Sequence, residues 1–529
     1  MIKNLLLILI CSSISIMDIA GKKLRKKDIL PIEILISNNR YDEALNDIKK
    51  LQIKHPQDAY LFLMQGICLL NLNHETKNAI LPLSRAKEQF GLYSSKNDNA
   101  IKANFHLAQA YHLNYEFDKA LNLFEQLKDT VPPKREKIHQ LLKQHISYCH
   151  SATKLKQAPV DFRITNLGQA INSENDEHSP VISGDENLLM FTSNKHGLGK
   201  ETTRNTVFSE DIYTSIWRDG KWLPAKNAGK TVNTNEYDAT CSLSSDGQTM
   251  IMYRNDNNGD LYLSHLKNDK WSQPEKLPKP INTSYEESHA SFSLDGNTLL
   301  FVSDRPDGMG GKDIFVTNKL PNGTWSKAML LGENINTTKN EESPFLSHDG
   351  QTLFFASEGH NSMGGYDIFK SEKDSTGQWS KAMNIGYPIN TPGDDLFFLP
   401  TLDGQRVYFA SERSGGFGGS DIYIIEFPAS DERSLAVISG FLFTESGQPS
   451  VSSKITITST DSNEYIGTYK PQASSGKYTM ILPTGVSYTM TIDTPGMVSQ
   501  SKEIEIPYRS NYKTRASATY LDPVLIKKQ

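Results

Sequence analysis

Glu342-Ser343-Pro344-Phe345-Leu346, Asp349-Gly350, Thr352-Leu353-Phe354-Phe355-Ala356, Gly364-Gly365, Asp367-Ile368-Phe369, Trp379-Ser380 and Ile389-Asn390-Thr391 follow one another in a single stretch. They read as an inner strand, a tight turn, a second strand, a glycine loop, a third strand, an outer strand and a link. The same order recurs along the chain. An Asp followed by an apolar residue opens a β-like run at Asp211-Ile212, Asp260-Leu261, Asp313-Ile314, Asp367-Ile368 and Asp421-Ile422, at spacings of 49, 53, 54 and 54 residues. Asp-Gly turns precede four of them, at Asp246-Gly247, Asp295-Gly296, Asp349-Gly350 and Asp403-Gly404, and Gly184-Asp185 reverses the pair in the first copy. A unit of about 50 residues built from short strands reads as one blade of a β-propeller. One such unit cannot cover both faces of its sheet, so neighbours must stack and the ring must close.

Closure sets the expected blade number. Trp222, Trp271, Trp325 and Trp379 lead four outer strands, whereas the fifth copy ends at Glu426-Phe427-Pro428 without one. The missing piece is found upstream, where Gly168 and Ile171-Asn172 match the spacing of Gly386 and Ile389-Asn390. A five-bladed propeller over residues 158–428, closed by a strand at 160–170, is therefore expected. The four tryptophans are expected to pack between blades, since four equivalent copies suit a structural need better than one ligand.

On either side the pattern changes. Residues 25–155 carry a helical period, and Leu107, Ala108, Tyr111, Ala120, Phe124, Leu127 and Pro132 match tetratricopeptide offsets. A second copy has Gly66, Leu69, Ala79, Leu83 and Ala86, and a weaker one Leu35, Ala44, Ile48, Leu51 and Pro56. An all-α tetratricopeptide solenoid is expected there, serving as a peptide groove or as a rigid spacer. Residues 434–525 hold alternating strands at Ile438-Ser439-Gly440-Phe441-Leu442, Lys454-Ile455-Thr456-Ile457-Thr458, Lys477-Tyr478-Thr479-Met480-Ile481 and Ser487-Tyr488-Thr489-Met490-Thr491-Ile492, which predict a small β-sandwich. The expected fold class is thus multidomain, with a solenoid, a propeller and a sandwich. Residues 1–20 read as a signal peptide: Lys3 precedes an apolar run from Leu5 to Ile10 that is too short for a comfortable span. Cys11 is a candidate for lipidation, although the bulky Ile10 before it departs from the usual motif. Lys22, Lys23, Arg25, Lys26 and Lys27 follow, a charge run that resists export.

A net charge of −5 gives no electrostatic reason to expect a nucleic-acid partner. Cys68, Cys149 and Cys241, with Cys11, form no Cys-x-x-Cys and predict buried thiols rather than a zinc site. Acids lie before each inner strand, at Glu177, Glu236, Glu287, Glu342 and Asp395. Glycosidase chemistry needs carboxylates in different environments, and five equivalent copies predict equivalent ones. They read as caps on turns at the channel mouth, with a cation-holding ring as the other reading. Metalloprotease, nucleophile-elbow and phosphate-loop motifs do not occur. The sequence therefore predicts no catalytic residue, no metal ligand and no cofactor.

The Gly310-Gly311-Lys312-Asp313-Ile314-Phe315, Gly364-Gly365-Tyr366-Asp367-Ile368-Phe369 and Gly418-Gly419-Ser420-Asp421-Ile422-Tyr423 elements are similar to TolB-type, WD-repeat-like propeller repeats. Ile438-Ser439-Gly440 and Ser474-Ser475-Gly476-Lys477-Tyr478 resemble the carboxypeptidase-regulatory-like, or transthyretin-like, sandwich. The order of the three parts resembles the PorE-type proteins of the Bacteroidetes envelope, which usually end in an OmpA-like domain that this sequence does not show. The resemblance implies a non-catalytic scaffold, periplasmic and outer-membrane-associated, linked to type IX secretion or outer-membrane assembly. Its partners would be envelope proteins held by the helical groove and the propeller face; peptidoglycan binding is not carried over. The alternative is a glycan- or peptide-binding, or hydrolytic, envelope propeller.

Overall fold

The structure is a computed structural model. It describes residues 24–91, 98–195, 210–267, 270–294, 296–348, 350–402, 404–427, 435–450, 452–472, 475–506, 518–520 and 524–526. The expected signal segment, with Cys11, lies outside them, as do Asp295, Asp349 and Asp403 of the expected turns.

Five antiparallel sheets lie between residues 163 and 426. Their inner strands are Glu177–Ile182, Asp238–Leu243, Glu287–Phe292, Glu341–Leu346 and Asp395–Pro400. Each inner strand lies beside the next, and that of the fifth sheet lies beside that of the first. Among the described residues no ladder joins one sheet to another, so the sheets meet through side chains in a propeller-like ring. The fifth sheet takes its outermost strand, Arg163–Asn166, from upstream of the first; it pairs antiparallel with Asp421–Glu426.

The repeated residues have a physical task. Each repeated Asp is buried at the first position of a third strand. In the third sheet the Asp313 carboxylate accepts from the Met309 and Gly310 amides, and a Cβ on Gly308 would stand 2.1 Å from it. The residue after each Asp is gripped by an asparagine from the link: the Asn336 side chain accepts from Ile314 N–H at 2.8 Å and donates to the Ile314 carbonyl at 3.0 Å. Asn390 grips Ile368 and Asn172 grips Ile422 in the same way. Backbone groups that would otherwise be buried unpaired are satisfied at every junction.

The composite fold class expected from the sequence is overturned in its helical part. The described chain is mostly β, and its seven α-helices do not make a tetratricopeptide solenoid. They are α1 (Lys26–Ser37), α2 (Tyr41–Lys54), α3 (Ala59–Asn71), α4 (Ile80–Phe90), α5 (Asp98–Leu113), α6 (Phe117–Thr130) and α7 (Glu136–Gln157). The repeat pattern captures pair packing, since Ala108, Ala120, Phe124 and Leu127 are buried between α5 and α6. It does not produce an open groove, because α5 and α7 are seated on the propeller. His112 Nε2 donates to the Met363 carbonyl at 2.7 Å, Tyr148 OH to that of Glu358 at 2.9 Å, and Lys339 Nζ to Gln144 Oε1 at 2.7 Å. A solenoid repeat touches only its neighbours; these helices spend part of their inner face on another body.

Beyond the ring, Leu435–Thr444 pairs with Lys477–Pro483, Ala518–Tyr520 and Val524–Ile526, while Tyr465–Tyr469, Lys454–Ser459, Val486–Asp493 and Gln500–Ile506 form a second sheet. The two share a core that includes Ile455, Ile457, Tyr478, Met480 and Met490.

Candidate functional site at the channel mouth

All five inner strands slip register a few residues after they begin, at His178/Val181, Thr240/Ser242, Glu287/Ala290, Glu342/Phe345 and Leu396/Leu399. In three of them a residue sits in the left-handed region: Ser179 at φ 51°, Ser343 at φ 46° and Phe397 at φ 57°. Such a conformation costs roughly 1–3 kcal/mol in a non-glycine residue and collects at functional sites. Bulges also re-aim side chains. Here they bring His178, His289, Glu342 and Phe397 to one cavity of about 540 Å³ inside the mouth of the ring.

The sequence-predicted acids separate into two kinds. Glu177, Glu287 and Asp395 open their strands, are fully buried, and pair with Lys195 at 3.3 Å, Arg305 at 3.0 Å and Arg413 at 3.3 Å. The true counterparts in the other two sheets are Asp238 and Glu341, not Glu236 and Glu342. The signal was present in the sequence: a Ser or Thr stands four residues before each, at Ser173, Thr234, Thr283, Thr337 and Thr391, and its amide and hydroxyl bond the acid. Glu236 is exposed and takes no part in the cavity. Glu342, displaced by the bulge, faces the channel.

Around Glu342 the environments differ sharply. Its carboxylate accepts from Ser288 Oγ at 2.6 Å and pairs with Lys312 at 3.1 Å; burial raises its pKa, but Lys312 holds it below the ordinary value. Lys312 also pairs with Glu286 at 2.9 Å, and against the pull of burial these two acids keep it firmly charged. His178 lies 3.6 Å from Glu210. Burial works against its charge, yet Glu210 raises its pKa above the usual value and is itself lowered in return, against its own burial. His289 behaves oppositely: burial pushes it down to about 4, so it is neutral at physiological pH. Phe397 stacks on His178 at 5.7 Å and tilts against His289 at 5.4 Å. His289 and Phe397 also line a second cavity of about 260 Å³ farther along the inner strands, so this aromatic group divides the channel.

A third cavity, of about 320 Å³, lies where α5 and α7 meet the propeller. Its lining includes Phe105, Leu113 and Leu141 from the helices, and it shares Tyr366, Asp394 and Glu412 with the mouth. Burial pushes His106 and His112 down to about 4 and His145 to about 3. Between the helices and the ring, burial, with Asp394 adding to it, raises Glu358 to about 7. Among the described residues, no group of three or more His, Cys, Asp and Glu is placed to hold a metal ion.

No family model matches the chain, and no curated protein matches it. Among solved structures it is similar to an endo-arabinase from Bacteroides thetaiotaomicron, at 14% identity and TM-score 0.33, over 51% of this chain and 99% of that one. A β-xylosidase/α-arabinofuranosidase from a compost microbial metagenome is similar at 9% identity and TM-score 0.34, over 51% and 96%. An α-L-arabinofuranosidase from Lactobacillus brevis follows at 10% identity and TM-score 0.31, over 48% and 90%. These likenesses assign no activity to this chain. The expectation of a chain without catalysis is withdrawn, because the five acids it treated as equivalent stand in unequal environments.

Proposed function

We propose that this is a propeller-based protein that binds a glycan or peptide at the channel mouth and acts on it hydrolytically. The observation that carries the reading is the division of protonation states within one cavity. Lys312 draws Glu342 and His178 draws Glu210 toward the ionised form, Glu210 draws His178 toward its charged form, and burial holds His289 neutral. Acid–base hydrolysis needs groups whose environments push their pKa values apart. In this reading Glu342 serves as the base toward water, His178 donates the proton to the leaving group, and Phe397 offers an apolar face to the substrate. An envelope setting, periplasmic and outer-membrane-associated, is part of the proposal and rests on the sequence resemblance.

The test is turnover of a panel of aryl glycosides, oligosaccharides and peptides by the full chain. Glu342→Gln and His178→Gln should each lower kcat by about 10²–10⁴-fold, the range expected for a lost acid or base. Turnover unchanged in both variants, or none on any substrate, would refute the assignment.

A further inference from the structure

The mouth cavity and the helix–propeller cavity share three lining residues, Tyr366, Asp394 and Glu412. They therefore adjoin along one wall, and the two ends differ in chemistry. At the mouth six carboxylates, Asp176, Glu210, Glu286, Glu342, Asp394 and Glu412, stand around the charge of Lys312 and the imidazole of His178. At the helical end Ile67, Leu70, Phe105, Leu113 and Leu141 give an apolar stretch of wall, with Lys102 and Glu358 also on the lining, and the three histidines there carry no charge at physiological pH. A cleft with one sign of charge and walls of low dielectric concentrates ligands of the opposite sign.

One polar group at the mouth lacks its partner. His289 is 7% exposed, its Nδ1 makes no hydrogen bond, and the ring lines the cavity. A buried polar atom without a partner costs roughly 1–3 kcal/mol, which a ligand offering a hydrogen-bonding group at that position would recover.

We infer that the cleft holds an extended peptide, with an apolar residue between α5, α7 and the propeller and a basic residue among the carboxylates of the mouth. This narrows the glycan-or-peptide reading above and rests on it. A sugar chain supplies hydroxyls for the carboxylates but no aliphatic or aromatic side chain for the helical end. A peptide supplies both, and its amides can reach His289.

Binding of fluorescein-labelled hexapeptides to the full chain, followed by anisotropy, tests the inference. The probe has a Leu-Phe pair at one end and an Arg-Lys pair at the other. Controls replace Arg-Lys by Glu-Glu, or Leu-Phe by Ser-Ser, and neutral xylo- and arabino-oligosaccharides compete. The probe should bind at least tenfold more tightly than either control, and raising the salt should weaken it, as for a charge contact open to solvent. Leu141→Gln should weaken the probe several-fold while leaving the Ser-Ser control unchanged, and Glu412→Gln should weaken both. Oligosaccharide binding without peptide binding would overturn the peptide assignment and leave the broader reading standing. Equal affinity for all three peptides would overturn the two-ended cleft. No binding by any probe would remove both.

Discussion

Glu341 shows how one residue breaks a repeat. In three other sheets the residue eighteen positions after the strand-opening acid is a cation: Lys195 after Glu177, Arg305 after Glu287 and Arg413 after Asp395. After Glu341 that position is Gly359, where a Cβ would stand 2.3 Å from Thr337 Oγ1. His360 Nε2 takes over only part of the arginine's work, donating to the Ile335 carbonyl at 2.9 Å. Glu341 is left with hydroxyl and amide donors, and burial raises its pKa to about 7. A carboxyl whose pKa is raised by folding favours the fold while protonated, and that stability is lost as pH rises through about 7. Glu341→Gln, a neutral isostere, should therefore be about as stable as the parent at pH 5 and more stable at pH 8. The gap is about 1–3 kcal/mol at one pKa unit per 1.36 kcal/mol, read as a difference in Tm across that range. A constant difference would refute the burial of an unpaired charge. The tryptophans are unequal too. Trp222 is buried and meets Trp217 edge-on at 5.3 Å, whereas Trp325 is half-buried and stacks on Phe292 at 6.1 Å. Trp222→Ala should cost about 3–5 kcal/mol and Trp325→Ala nearer 2 kcal/mol, compared by denaturant unfolding. Spacing alone made the four copies look alike, because it does not record which ring each meets, Trp217 for Trp222 and Phe292 for Trp325.

At the scale of the element, the bulges decide the site and the closing strand decides the ring. Strict alternation along Glu342-Ser343-Pro344-Phe345-Leu346 hides the slip between Glu342 and Phe345, and with it which acid enters the ladder. The hydrophobic pattern fixes where a strand lies; a one-residue shift in register changes which face each side chain meets. The third strands were legible, since Asp211, Asp260, Asp313, Asp367 and Asp421 each begin one. Pairing of Arg163–Asn166 with Asp421–Glu426 covers an edge of the fifth sheet, and Asn166 Nδ2 donates to Asp421 at 2.9 Å. Removing residues 158–172 would uncover that edge and delete Asn172, which grips Ile422. Exposed edge strands pair with other chains. The deletion should elute as aggregate in size-exclusion chromatography, and a monomer with an undiminished unfolding transition would show that the strand is dispensable.

At the scale of the molecule, the ring is held from two sides. The helices sit at the mouth, and the sandwich sits against the turns at the far ends of the inner strands: Gln472 Nε2 reaches the Asp246 carbonyl at 3.4 Å, Val437 and Ile481 pack with Leu402, and Lys477 pairs with Asp185. None of these contacts was legible in the sequence. They join separate parts of the chain, up to 292 positions apart, with no period to reveal them, and the helical pattern was read as a solenoid for the same reason. Lys477 and Asp185 are the most exposed to test. Asp185 is almost fully buried; burial raises its pKa, yet Lys477 with two hydrogen-bond donors holds it below the ordinary value. A depressed carboxyl contributes stability above its unfolded pKa and loses it as pH falls through the folded one. Lys477→Ala would strand that carboxylate at neutral pH, at a cost of about 3–5 kcal/mol for a buried pair broken on one side. The variant's sandwich should be cut from the ring by limited proteolysis faster than the parent's at pH 7.5. The difference should shrink as Asp185 becomes protonated in acid, using a protease active at both pH values. Equal cleavage at pH 7.5 would mean that the apolar contacts of Leu402 hold the two bodies together without the ion pair.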